Sequence, residues 1–104
     1  LKRAMAIVEK NMDNIEFSTD EFAREMNMSR SNLHLKLKAI TGESTIDFIR
    51  KIRFNEAAKL LKDGRYTVAE VSTMVGFNTP SYFATSFKKY FGCLPTEYIK
   101  KSKG

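Results

Sequence analysis

The sequence is poor in the residues from which catalytic and metal sites are built. Its 104 residues include one cysteine, one histidine, two prolines and no tryptophan. Cys93 has no second thiol to pair with, so no disulfide forms within the chain; a lone thiol fits a reducing compartment, and a cytoplasmic location is expected. The only histidine, His34, has no cysteine neighbour and no clear carboxylate partner, so neither a metal site nor a nucleophile pair can be assembled around it. The expectation is a protein that is not an enzyme, holds no metal and carries no cofactor. Long apolar runs are missing too, which excludes a transmembrane helix and predicts no membrane contact by this stretch. No signal peptide is evident, and a chain that opens on Leu1 without a methionine is expected to be a fragment of a longer one.

What is present is an ordinary apolar share, 42%, in a chain long enough for one domain or for two small lobes sharing a helix. Charge is uneven. The net value is +6 with a pI near 9.6. Residues 1–28 carry Lys2, Arg3, Lys10 and Arg24 against six acids, a net of −2, whereas residues 29–104 carry fourteen bases against six acids, a net of +8. A basic domain favours polyanions through phosphate contacts and counterion release. Basicity alone is weak evidence, since many soluble domains share it.

Pattern is more informative than composition. Between Gly76 and Gly92, Phe83, Phe87, Tyr90 and Phe91 recur at three- and four-residue steps, which stacks them on one buried helical face. At about 100° per residue the opposite side carries Ser81 and Thr85, with Lys88 and Lys89 at its edges. Small hydrogen-bonding side chains between cations suit a groove lined with acceptors; an ordinary amphipathic helix is the plainer alternative.

The unit occurs twice. Offset by 49, Glu21, Phe22, Ala23, Met26, Asn27 and Met28 match Glu70, Val71, Ser72, Val75, Gly76 and Phe77. Offset by 50, Ser31, Leu33, Leu37, Lys38 and Gly42 match Ser81, Phe83, Phe87, Lys88 and Gly92, and Asp47 to Lys51 match Glu97 to Lys101. One residue has entered the second turn near Pro80. Two copies of a short helix, a tight turn and a longer helix read as a duplicated helix-turn-helix.

Seven helices are predicted. The first covers residues 1 to about 12, with a stripe of Leu1, Ala4, Met5, Val8 and Met12 and with Ile7 to one side. Ser18 or Thr19 caps the second, and Asn27, Met28 and Ser29 form the turn, Asn being tolerant of left-handed backbone. The third runs from about Arg30 to Ile40, burying Leu33, Leu37 and Ile40 and leaving Leu35 at the centre of its polar face. An exposed leucine there is either a contact for a partner or a thymine methyl, or simply an exposed leucine. The fourth, about Ser44 to Lys62, buries Ile49, Ile52, Ala57, Leu60 and Leu61 with Ile46 and Phe54 in support, while Arg50, Lys51, Arg53 and Lys59 give it cationic sides. Nineteen residues at about 1.5 Å each make a strut of about 28 Å, near the spacing of about 34 Å between successive major grooves on one face of DNA. Thr67 caps the fifth helix and Pro95 opens the seventh, which Tyr98 and Ile99 dock. The expected division is residues 1–43 for the first helix and first helix-turn-helix, 44–63 for the linker helix, and 64–104 for the second helix-turn-helix and last helix.

At Phe77, Ser81, Tyr82, Phe83, Phe87, Lys88, Gly92, Pro95 and Tyr98 the sequence resembles the AraC/XylS family of bacterial transcription regulators. Ser29, Leu33, Lys38, Gly42, Arg53, Ala57, Leu60, Leu61 and Gly76 extend the resemblance to roughly residues 15–100. In MSRSNLHLKLKAITG and MVGFNTPSYF it is also similar to the C-terminal output domains of hybrid two-component regulators of Bacteroides-type bacteria. The resemblance implies an all-α fold of seven helices, two helix-turn-helix subdomains joined by a long central helix, binding double-stranded DNA in two successive major grooves. Implied partners are DNA, upstream regulatory domains of the same chain, and RNA polymerase.

Carried over by position, base reading falls on Ser31, His34 and Leu35 and on Pro80, Ser81, Tyr82 and Thr85, with Asn32 at the margin. Ser29, Arg30, Lys36, Lys38, Asn78, Thr79, Lys88 and Lys89 are the expected phosphate contacts, together with helix N-termini. Two departures stand out: Leu35 replaces a frequent arginine, and Leu37 a usual phenylalanine. Without that arginine the first unit lacks a bidentate guanine contact worth about 1–3 kcal/mol of discrimination.

Two rival functions compete with this one. Alkyl transfer to Cys93, prompted by repair proteins that carry a similar module, lacks a thiolate-stabilising cluster. A helical protein-interaction module using Met5, Met12 and the acidic stretch from Asp13 to Glu25 is the other; its binding would respond little to salt, whereas DNA affinity falls steeply.

Overall fold

Five of the helices begin at a side-chain cap. In the computed structural model, which describes residues 1–103, seven helices follow in order: α1 Lys2–Lys10, α2 Thr19–Glu25, α3 Arg30–Thr41, α4 Thr45–Asp63, α5 Val68–Met74, α6 Pro80–Phe91 and α7 Pro95–Lys103. No strand occurs among the described residues. The hydroxyls of Ser18, Ser29, Ser44, Thr67 and Thr79 accept from the backbone N–H three residues on, satisfying donors that a helix start leaves free. Thr67 and Glu70 complete a reciprocal capping box, the Thr67 N–H donating to Glu70 Oε1 at 2.9 Å.

The duplication is visible in the backbone. In the first turn Met28 N–H donates to the Ala23 carbonyl at 2.9 Å, and in the second Phe77 N–H donates to the Ser72 carbonyl at 2.9 Å, the same residues once shifted by 49. Asn27 and Gly76 hold the equivalent left-handed position, with φ of 57° and 82°. Asn27 is exposed and its side chain is tolerated, whereas a Cβ on Gly76 would lie 2.6 Å from the Met12 carbonyl oxygen and 2.9 Å from Arg53 Cζ. Glycine is therefore required at the second turn and not at the first.

Two cores form, and α4 serves both. Ala4, Val8, Phe17, Phe22, Ala23, Leu33, Leu37, Phe48 and Ile49 make the first; Phe54, Ala57, Leu61, Val71, Val75, Phe77, Phe83 and Phe87 make the second. Phe48 and Ile49 of α4 pack in the first as their repeat partners Tyr98 and Ile99 of α7 pack against the second. Full burial of side chains this large contributes about 1.5–3 kcal/mol each, which for helices as short as α2 and α5 outweighs propensity. Phe54 is the hub of the second core, with ring centroids at 5.4 Å from Phe77, 6.3 Å from Phe87 and 5.0 Å from Tyr90.

Several residues lie elsewhere than periodicity alone predicts. Leu1 and Met5 are 55% and 42% exposed, and Ile7, predicted to stand aside, packs on the first core in their place. Met12 crosses over and packs on the second core. Ile40 and Ile46 are 56% and 54% exposed, and Tyr90 is 44% exposed although one side of its ring stacks on Phe54 at 5.0 Å. Arg53, predicted on a cationic side of α4, is buried. Its Nη2 donates to the Asn14 carbonyl at 3.0 Å and its Nη1 to the Gly76 carbonyl at 3.4 Å, so one side chain ties the α1–α2 loop to the second turn across the linker helix. Nε of the same guanidinium is buried without a partner, and burial lowers the group from its ordinary pKa.

Candidate nucleic-acid interface

The cap that starts each longer helix also shapes its outer face. Ser29 Oγ accepts from Asn32 N–H at 3.1 Å and Thr79 Oγ1 from Tyr82 N–H at 3.2 Å, leaving each hydroxyl proton free to donate outward. From these starts α3 buries Leu33 and Leu37, and α6 buries Phe83 and Phe87, which turns the opposite faces to solvent. Ser31, Asn32, His34 and Leu35 are all exposed, and so are Pro80, Ser81, Tyr82 and Thr85. Leu35, at 64%, is the most exposed of the large apolar residues.

Three clefts link the two faces. The first is bordered by Ser31, His34 and Leu35 of α3 together with Thr19 and Ile46. The second shares Thr19 and Ile46 with it and extends past Arg50 to Asn78 and Tyr82. The third shares Arg50 and Tyr82 with the second and reaches Thr85 and Lys89. The exposed sides of α3 and α6 therefore open on the same flank of α4, joined by a strip that runs along Ile46 and Arg50.

Individual hydrogen bonds set what each side chain has left to offer. Thr85 Oγ1 donates to the Ser81 carbonyl at 3.1 Å, so toward solvent it presents lone pairs and a methyl group and no donor. Ser81 has no such bond and keeps both functions. The Tyr82 ring packs against Phe77 at 5.7 Å while its hydroxyl accepts from Arg50 Nη2 at 3.2 Å. Arg30 pairs with Asp20 at 3.2 Å; both partners are well exposed, and such a pair is worth about 0–1 kcal/mol, weak enough to exchange for a stronger anion.

Not every expected residue converges. Lys36 opens instead on a cleft with Leu1, Met28 and Ile40, on the flank of α3 away from His34. Ser29, Asn32, Lys38, Thr79, Pro80, Ser81 and Lys88 are exposed but border none of the three joined clefts. The sequence marks Arg50 and Arg53 only as cationic sides of a helix, whereas the structure engages the first with Tyr82 and buries the second. A signal for Arg53 existed, because Ile49, Arg53, Ala57 and Leu61 follow at four-residue steps and place it inside the buried stripe.

A helix-turn-helix domain family matches residues 22–101. The chain belongs to this family, as a helix-turn-helix domain of the AraC type. Among curated relatives it is 40% identical over 98 residues to histidine kinase P4 of Formosa agariphila, a match covering 94% of this chain and 7% of that protein. Among solved structures it is similar to the C-terminal domain of AraT, a response regulator from Geobacillus stearothermophilus, with a TM-score of 0.89 and 31% identity over 96% of this chain and 83% of that one. A DNA-binding transcriptional dual regulator from Escherichia coli K-12 aligns with a TM-score of 0.86 and 28% identity over 97% of this chain and 89% of that one. The chain spans 7% to 34% of the length of three curated relatives that it matches.

Proposed function

We propose that this AraC-type DNA-binding domain reads double-stranded DNA sequence-specifically, with α3 and α6 in successive major grooves, as the output domain of a longer bacterial transcription regulator of the two-component kind. The observation that carries the reading is the joined row of clefts, which sets Ser31, His34 and Leu35 on the same flank of α4 as Tyr82 and Thr85. Ser31, His34, Leu35, Ser81 and Thr85 read base edges, with Asn32, Pro80 and Tyr82 at the margins. Thr85, with its proton engaged, accepts from an exocyclic amino group or lays its methyl on a thymine. Ser29, Arg30, Lys38, Asn78, Thr79, Lys88 and Lys89 hold phosphates and fix the register, while Lys36 faces the other flank of α3.

The chain works in the cytoplasm in this reading, with regulatory domains of the same polypeptide and RNA polymerase as further partners. No helix among the described residues is long and apolar enough to cross a membrane. The phosphotransfer in the name of the relative from Formosa agariphila is not carried over, since this chain corresponds to 7% of that protein.

Selection of bound duplexes from a random pool supplies the operator, and binding to it then separates readers from holders. His34→Ala and Thr85→Ala are expected to change preference at one base position by about 1–3 kcal/mol. Lys38→Ala and Lys88→Ala are expected to weaken specific and random duplexes alike and to lower the salt slope by about 0.9 each. Equal losses on specific and random duplexes for His34→Ala and Thr85→Ala overturn the assignment of readers.

A further inference from the structure

Between the two reading faces lies a strip of α4 to which the sequence assigns no contact. Ile46 borders the first and second clefts, and one turn later Arg50 borders the second and third. Arg50 is exposed, and its Nη2 is held 3.2 Å from the Tyr82 hydroxyl in the first turn of α6. It takes part in none of the ion pairs among the described residues, although Asp47 shares its cleft. Arg53, one turn further, is buried with two of its nitrogens engaged by carbonyls. Lys51, the adjacent base on α4, is paired with Glu43 at 3.5 Å. Arg50 is thus the cation that the middle of the strip presents.

A duplex that offers successive major grooves to α3 and α6 turns the intervening minor groove toward this strip, because the two grooves alternate along one face. Phosphates form the lips of that groove. A guanidinium anchored at one nitrogen keeps its remaining N–H groups for a second acceptor, and its planar fork suits two oxygens of one phosphate. Resting on the DNA-reading function above, we infer that Arg50 holds a backbone phosphate on the lip of the minor groove between the two recognition helices, and that Tyr82 aligns it there. Tyr82 then acts as a positioning residue at the junction of α4 and α6, in addition to its place at the edge of the reading face. The contact depends on both helices being seated, since the strip meets the duplex only when the two flanking grooves are filled.

The test uses the chain as it stands and the selected operator, with the central phosphates replaced one at a time by uncharged methylphosphonates. For the unmutated chain, one or two central replacements are expected to lower affinity about tenfold. For Arg50→Ala the unmodified operator is expected to bind about tenfold more weakly, with a salt slope reduced by about 0.9, and the same replacements are expected to cost nothing further. Arg50→Lys should keep the slope, and unchanged thermal melting of both variants shows that the fold is intact. Wild-type affinity and slope in Arg50→Ala overturn the inference, and so do additive losses from the mutation and the replacements; in both cases the unmutated chain still selects its operator. Failure of the unmutated chain to select any duplex overturns the DNA-reading function, and this inference with it.

Discussion

At the scale of single residues, Gly76 and Arg53 carry more than their sequence context announces. Gly64 and Gly76 have similar backbone angles, φ of 77° and 82°, yet open space surrounds the first and the Met12 carbonyl with Arg53 crowds the second. Gly64→Ala is therefore expected to cost about 1–2 kcal/mol, the strain of a left-handed alanine alone. Gly76→Ala adds a clash that neither backbone nor buried guanidinium can relieve, and a loss above about 3 kcal/mol is expected. Urea unfolding of the two variants checks the difference, and equal losses would remove the argument from crowding. Asn27 at the matching position of the first copy shows why repetition alone could not reveal this: the two turns share a backbone, and only the second has a neighbour pressed against it. The outward residues were legible because helical spacing fixes a face once one buried position is known, as with Leu35 opposite Leu33 and Leu37. Arg53 was not, since its charge outweighed its place in a four-residue stripe, and the two carbonyls that stabilise it come from Asn14 and Gly76, far away in sequence.

At the scale of elements, a cap and a phosphate contact compete for the same atom. Ser29 holds the start of α3 through its lone pair, and in the proposed function its proton goes to a phosphate. Aspartate caps a helix as well as serine does, and its charge suits the N-terminus, but it repels phosphate. Ser29→Asp is expected to leave stability within about 0.5 kcal/mol of the original while lowering affinity for every duplex about tenfold. Thermal melting and DNA titration on the same sample separate the two roles; equal DNA affinity would leave Ser29 as a cap alone. The limits of α3 and α4 were legible nearly to the residue because caps and glycines mark them chemically, from Ser29 to Gly42 and from Ser44 to Gly64, whereas α1, with no side-chain cap, stops at Lys10, two residues short of the expected end. Less legible was how far each apolar stripe stays covered. Ile40 and its repeat partner Tyr90 are 56% and 44% exposed, although the Tyr90 ring still stacks on Phe54 of the second core.

For the whole molecule, 43 Å long and 23 by 22 Å across, the open question is whether two cores on one shared helix behave as one. Met12 packs on the far core and Arg53 bonds to both sides, so a single cooperative transition is expected. All four tyrosines, at 66, 82, 90 and 98, lie in the second half of the chain and there is no tryptophan. Tyrosine fluorescence thus follows the second core while far-ultraviolet circular dichroism follows both, and their urea midpoints are expected to coincide. Arg53→Met, which cuts bonds worth about 1.5–3 kcal/mol each, is expected to pull the midpoints apart; separate midpoints in the unmutated chain would show that the tie is too weak to join the cores. The shared helix also fixes a phase. Between Ile49, in one core, and Phe54, in the other, each added residue would swing one lobe against its twin by about 100° and lengthen the span by about 1.5 Å. In the proposed function, the spacing between the two halves of an operator is thus stored as an integer, the count of residues along α4, and drift in the domain can rewrite the letters of each half while the gap between them stays where that integer sets it.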